Sequence, residues 1–238
     1  MDRFRPFLAR AVSAAVLVGA CCAAEAGPLE PPPGPAAPTM KTLAEVEART
    51  PIHQSDLPLT IASDGAYYLA ENLSANQNGV IMITITAYNV SIDLNGFTID
   101  GTGQAAVASD CIRIESGVRT FGLTNGVIRG CGQTGVVSQG AFGLTYTIDR
   151  VQANQNGQHG MLFSGNTFGV ISRSIAKTNA DRGLYVTNGI LSDCAAFGNG
   201  GIGLQVVYGT INGCISHSNV GLNAVILYGG VAVGTYAP

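Results

Sequence analysis

Tryptophan is absent from this 238-residue chain, and only 11% of its residues are charged. Charge this sparse excludes a nucleic-acid binder, which needs a basic face. It also excludes a solvated disordered tail, because 46% of the residues are hydrophobic. No apolar run reaches the roughly 20 residues that span a bilayer. No Cys-x-x-Cys pair or histidine cluster marks a metal site. Collagen is excluded too, since no Gly-X-Y period exists.

Glycine is in excess, at 32 residues. Each interior glycine costs a helix about 1 kcal/mol, so the composition suits short strands joined by tight turns. Residues 1–26 read as an export signal. Arg3, Arg5 and Arg10 form its basic start, residues 11–24 its short apolar run, and Ala24-Glu25-Ala26 its small-x-small cleavage site. A second reading stays open: Val18-Gly19-Ala20-Cys21 matches a bacterial lipobox, in which Cys21 would carry a lipid anchor. Setting the signal aside removes three arginines from the 12 Lys/Arg, and Asp2 and Glu25 from the 15 Asp/Glu. That leaves a net charge of −4, a mildly acidic surface with no field to steer polyanions. The expected location is secreted, periplasmic or at the cell surface.

Residues 27–39 form a Pro-rich linker with six of the ten prolines. Residues 40–57 read as a cap segment whose short helix runs from Thr42 to Arg49, with Thr42 as N-cap, Glu45 three residues on and Pro51 past the end. From residue 58 to 238 short alternating strands recur, each closed by Gly or Asn.

The later half aligns with itself. Ile128, Ile148, Ile171, Leu191 and Ile211 start equivalent segments. Three positions on come Cys131, Val151, Ser174, Cys194 and Cys214. Eight positions from the start come Asn156, Asn179, Asn199 and Asn219, and twelve positions from it come Gly160, Gly183, Gly203 and Asn223. A period of 20–23 residues with two or three strands fits one coil of a parallel β-helix, in which equivalent residues stack about 4.8 Å apart as ladders. Aliphatic ladders make the core, and an Asn ladder passes side-chain amide hydrogen bonds between coils.

The segments 191–203 and 211–219, with Arg49-Thr-Pro-Ile52, Gly65-Ala-Tyr-Tyr-Leu69 and Asn89-Val-Ser-Ile-Asp-Leu-Asn-Gly96, resemble the right-handed parallel β-helix repeat proteins of the pectin-lyase-like superfamily, a group of bacterial exported proteins. The resemblance covers about residues 40–230. It implies an all-β, right-handed solenoid of about seven coils. It does not imply one activity, because the fold hosts lyases, hydrolases and non-catalytic adhesins.

Polygalacturonases of that superfamily carry Asn-Thr-Asp, Asp-Asp, Gly-His-Gly and Arg-Ile-Lys motifs. Here only Gln158-His159-Gly160 partly matches, and His159 reads as a solvent-facing corner residue. A pectate lyase would need carboxylates for Ca²⁺ and a basic residue. The best constellation puts Arg129 under Asp149 and Arg150 under Arg173 and Asp193, with Asp181 and Arg182 at the next bend. It reads either as a groove for a sugar acid or as an exposed charge ladder worth at most about 1 kcal/mol per pair. Cys194 and Cys214 should be neighbours facing the core, where a stack of free thiols suits their direction better than a disulfide. Cys111 falls at the corner-glycine position. Near the end, Val207 with Leu227 and Tyr208 with Tyr228 should form outer ladders beside an unguarded strand edge. That edge is open to self-association through the last coil, and the tyrosines to stacking on sugars.

The expectation is an exported β-helix that binds a polysaccharide or another cell-envelope component, or acts as a scaffold, without catalysis or cofactor. The alternative is a lyase or hydrolase acting on uronic-acid polysaccharide, and only that alternative calls for Ca²⁺.

Overall fold

A strand that alternates apolar and polar residues buries one face only. In a coil of three such strands all the apolar faces turn inward together. The computed structural model has this architecture. It describes residues 47–77, 79–101, 109–138, 140–228 and 230–237. The export signal, the Pro-rich linker and residues 42–46 of the expected helix lie outside the described residues. By contacts the chain divides into Met1–Thr42 and Leu43–Pro238, and the described residues all belong to the second unit.

That unit is an all-β parallel solenoid of about seven coils. A typical coil has a first strand such as Leu204–Val206, a second such as Tyr208–Asn212 that continues it past a bend, and a third such as Ile215–His217. Every pairing is parallel, and each strand pairs with its counterparts in the neighbouring coils. Pairing begins at Thr50–Ile52, which lies on Gly65–Leu69.

Three ladders build the core. The first strands contribute Met161 and Phe163, Leu184 and Val186, then Leu204 and Val206. The second contribute Ile92, Leu123, Ile148, Ile171, Leu191 and Ile211. The third contribute Ile99, Ile128, Ala153, Ala176, Ala196 and Ser216. All are buried. Tyr146 is the largest side chain in this core and stacks on Phe163 with ring centroids 4.0 Å apart. Gly169, Gly189 and Gly209 follow Tyr146 in register, and the missing side chains of Gly169 and Gly189 leave room for its ring.

The structure corrects several expectations. Glu47, Ala48 and Arg49 are not helical; among the described residues the helical element is a single turn at Gln54–Asp56. Arg49 instead bridges Glu47 and Asp93. Ile128 does not stand beneath Ile148. Leu123 does, and Ile128 pairs with Ala153, because this coil takes 25 residues rather than 20. Arg129 is therefore not under Asp149; it pairs with Asp100 at 2.8 Å.

The same shift relocates Cys131. It occupies the place of the ladder asparagine, and its backbone N–H donates to Asn156 Oδ1 at 3.1 Å. It is disulfide-bonded to Cys111, 20 residues earlier. Cys194 and Cys214 are free and buried as expected, with the Cys194 N–H 3.3 Å from Cys214 Sγ. Hydrogen bonding to Cys214 and burial push the Cys194 thiol up, away from its reactive thiolate form.

The asparagine ladder is closed bond by bond. Asn179 Oδ1 accepts the Asn156 backbone N–H at 3.1 Å and its amide at 2.8 Å. Asn199 does the same for Asn179, and Asn219 for Asn199. Each Nδ2 also donates to a carbonyl of the preceding coil: Asn179 to Ala153, Asn199 to Ala176 and Asn219 to Ala196. The corner glycine is required by this packing. A Cβ at Gly160 would lie 2.5 Å from the Gly183 carbonyl and 2.9 Å from Asn179 Nδ2. Two coils earlier, Cys111 holds the glycine's place and Cys131 the asparagine's. The disulfide there replaces an amide packed against a glycine.

Two columns of left-handed backbone turn the later coils. Asn95, Asn125, Arg150, Arg173, Asp193, Gly213 and Gly234 form one, between second and third strands. Gly130, Gln155, Thr178, Gly198 and Ser218 form the other, after the third. Side chains with a Cβ pay about 1 kcal/mol for this conformation.

Candidate functional site

The second-strand face carries a shallow open groove of about 550 Å³. Its floor is a column of small outward residues stacked in register: Ala66, Ser91, Gly122 and Thr147. A Cβ on Gly122 would meet nothing nearer than Ser91 Cβ at 3.4 Å, so the floor is open above this glycine.

One edge of the groove is polar and then aromatic. Asn89, Thr120, Thr145, Phe168, Asn188 and Tyr208 stand in register along it. Asp64 closes its lower end, accepting the backbone N–H of Asn89 at 3.0 Å and its amide at 2.9 Å. These bonds hold the Asp64 carboxyl below the usual range. Tyr88 next to Asn89, and Phe142 in register with Asn166, are exposed, as is Phe168. Tyr208 stacks on Tyr228 with centroids 5.5 Å apart. Exposed rings thus recur along this edge from Tyr88 to Tyr228. The structure brings Tyr208 and Tyr228 together as the spacing predicts, with Val207 half-buried and Leu227 exposed beside them. Tyr88, Phe142 and Phe168 were not singled out by sequence, because coils of unequal length hide their alignment.

The other edge holds the charged row. Tyr68, Asp93, Thr124, Asp149, Ser172 and Ser192 are in register. Arg49 lies 4.8 Å over the Tyr68 ring and donates to Asp93 at 2.9 Å. Hydrogen bonds to Arg49 hold the Glu47 carboxyl down at about 2. Asp149 is largely buried. It accepts from Arg173 at 2.8 and 2.7 Å and from Ser172 Oγ at 2.8 Å, with Arg150 at 3.3 Å. The Arg173 bonds come first in holding the Asp149 carboxyl below its usual range. Asp149 therefore stays ionised and fully engaged, a poor proton donor and a poor base.

The same pair sets a pH dependence. A carboxyl lowered by folding stabilises above its unfolded value, and that contribution disappears as pH falls through the folded value. Asp149→Asn should lower stability at pH 7 by about 1–2 kcal/mol and flatten its decline below about pH 4. Urea titrations at pH 3 to 7 read this directly; parallel curves for both proteins would disprove it.

His159, Asp181 and Arg182 sit at a different bend, after the third strand. His159 is buried, not solvent-facing, because the corner folds it beneath the next coil. Its Nδ1 accepts the Arg182 backbone N–H at 3.4 Å and lies 3.6 Å from Asp181. Burial lowers its pKa, which favours the neutral ring. Arg182 lies over Tyr185 at 5.2 Å. The structure therefore divides the candidate residues: Asp149, Arg150 and Arg173 at one corner, His159, Asp181 and Arg182 at another.

Among the described residues, no group of three or more His, Cys, Asp or Glu could hold a metal ion. Nor is any helix long and apolar enough to cross a membrane. No family model and no curated protein matches the chain. Among solved structures, the chain is similar to the Dettilon tailspike protein (gp208), at 12% identity and a TM-score of 0.30. The match covers 79% of this chain and 60% of the tailspike chain. A likeness this slight transfers no ligand or activity.

Proposed function

We propose that this chain is an exported, pectin-lyase-like β-helix that binds a linear polysaccharide without cleaving it. The observation that supports this reading is the groove with a small-residue floor beside a line of exposed aromatic rings. Rings offer apolar faces to sugars, and the polar rim of Asp64, Asn89 and Thr120 offers hydrogen bonds. The polymer would run along the solenoid axis, since floor and rings both repeat coil by coil. The clamped state of Asp149 and the burial of His159 favour binding over chemistry.

Glycan-array binding by the purified chain tests the proposal. Gly122→Tyr fills the floor without backbone strain and should weaken glycan retention at least tenfold, with an unchanged circular dichroism spectrum. Retention unaffected by Gly122→Tyr would overturn the groove. Turnover of a uronic-acid polysaccharide, lost in Asp149→Ala, would replace binding by lyase or hydrolase activity.

A further inference from the structure

The two ends of the solenoid differ. At the first coil the inward side chains Ile52, Ile61 and Leu69 are buried. At the last coil the equivalent positions are not. Ala224 and Ile226 are half-buried and Ala232 is exposed, although Leu204, Val206 and Ile211 directly beneath them are fully buried. The core is thus sealed at one end and open at the other.

The strands of the open coil, Ala224–Ile226 and Val231–Val233, pair on one side only among the described residues, with the coil beneath. Around this edge Val220, Leu222, Val231, Val233 and Tyr236 are exposed, Val220 by 83%. Edges of natural sheets are normally guarded by charge, proline or a covering element. Here no Asp, Glu, Lys or Arg occurs after Asp193, through residues 194–238. The sealed end carries Glu47, Arg49, His53, Asp56 and Glu71.

We propose that the open coil is the interface of a two-fold symmetric dimer, formed by two copies of this chain meeting end to end through their last coils. Charge distribution selects this pairing. Head-to-tail stacking would bury the ionised groups of the sealed end against an apolar surface and would leave another open end free. Open end against open end meets no Asp, Glu, Lys or Arg side chain, closes both cores and terminates the assembly. Residues 218–237 form the contacting coil, close to the roughly 20–30 residues a side of a stable interface. Such an apolar, uncharged core is the composition of homodimer interfaces.

Sedimentation velocity of the full chain at about 1 to 100 µM should show one species of twice the monomer mass. Val231→Lys with Val233→Lys should shift it to monomer while the circular dichroism spectrum stays β-rich. Nitroxides at Ala237→Cys should lie close together across the dimer, and those at His53→Cys far apart. A monomer at every concentration would overturn the proposal. So would an open-ended series of species, close His53 labels, or a dimer that survives both lysines. A peptide strand from another protein as the true occupant would appear as a monomer that binds extended peptides at this edge. Glycan binding is read separately, so failure here leaves the groove untouched.

Discussion

Replacing Asn199 with alanine is expected to destabilise the solenoid by about 3–5 kcal/mol. The side chain accepts the Asn179 backbone N–H and amide and donates to the Ala176 carbonyl and to Asn219 Oδ1. Asn179 is buried, so its N–H would lose its partner where water does not reach. A lost partner of this kind costs about 1–3 kcal/mol, and here a donor and an acceptor are stranded together. Each coil touches only its neighbours, so the damage should spread towards the open end. Hydrogen exchange should show the coils after Asn199 opening first. Asn219→Ala should have the smaller effect, because that asparagine is only half-buried at the ladder's end. A urea-derived loss below about 1 kcal/mol for Asn199→Ala would mean that the ladder decorates the bend without holding it.

Removing the Cys111–Cys131 disulfide should have the next largest effect. The bond closes a loop of 20 residues, most of one coil, which corresponds to about 3 kcal/mol of lost chain entropy in the unfolded state. Cys111→Ala with Cys131→Ala should show that loss in chemical denaturation. The sharper experiment is Cys111→Gly with Cys131→Asn, which writes the ladder's own pairing into the coil. If the disulfide stands in for an amide packed on a glycine, this variant should recover much of the stability, and it should do so in reducing buffer. No recovery over the alanine pair would show that the cysteines hold this coil in some other way. An oxidising compartment suits the native pair, in keeping with the export signal expected at residues 1–26.

The parts of the fold that were legible are those where the period repeats without interruption. From Ile148 onward the steps are 23, 20 and 20, so the aliphatic row and the Asn156–Asn219 row are read in their true register. Upstream the coil lengthens to 25 residues, and Cys131 stands where the asparagine signal would be. Ile128 lies 20 residues before Ile148 and mimics the true step, which hid both Leu123 and the disulfide. Arg150, Arg173 and Asp193 were recognised as a row, but not as a corner. Their backbone is left-handed, where glycine or asparagine is the usual occupant. For the binding face, single tyrosines were legible near the end. The groove was not, because its floor consists of Ala, Ser, Gly and Thr, residue types that carry no motif. The burial of His159 depends on how two coils overlap at a bend, which no local pattern encodes.

The left-handed columns also govern how such a body can change in size. From Gly130 onward the coils turn at the same two bends, and those bends lie above one another along the solenoid. A gain or loss of a few residues would carry an Arg or Thr out of its bend and put a core side chain in its place, unless a bulge absorbs it first, as the one between Phe163 and Phe168 does. Adding or removing a whole coil, as between Leu184 and Leu204, leaves every later residue in phase. Length is therefore quantised, in steps of about 4.8 Å, and the solenoid behaves as a ruler whose graduations are its bends.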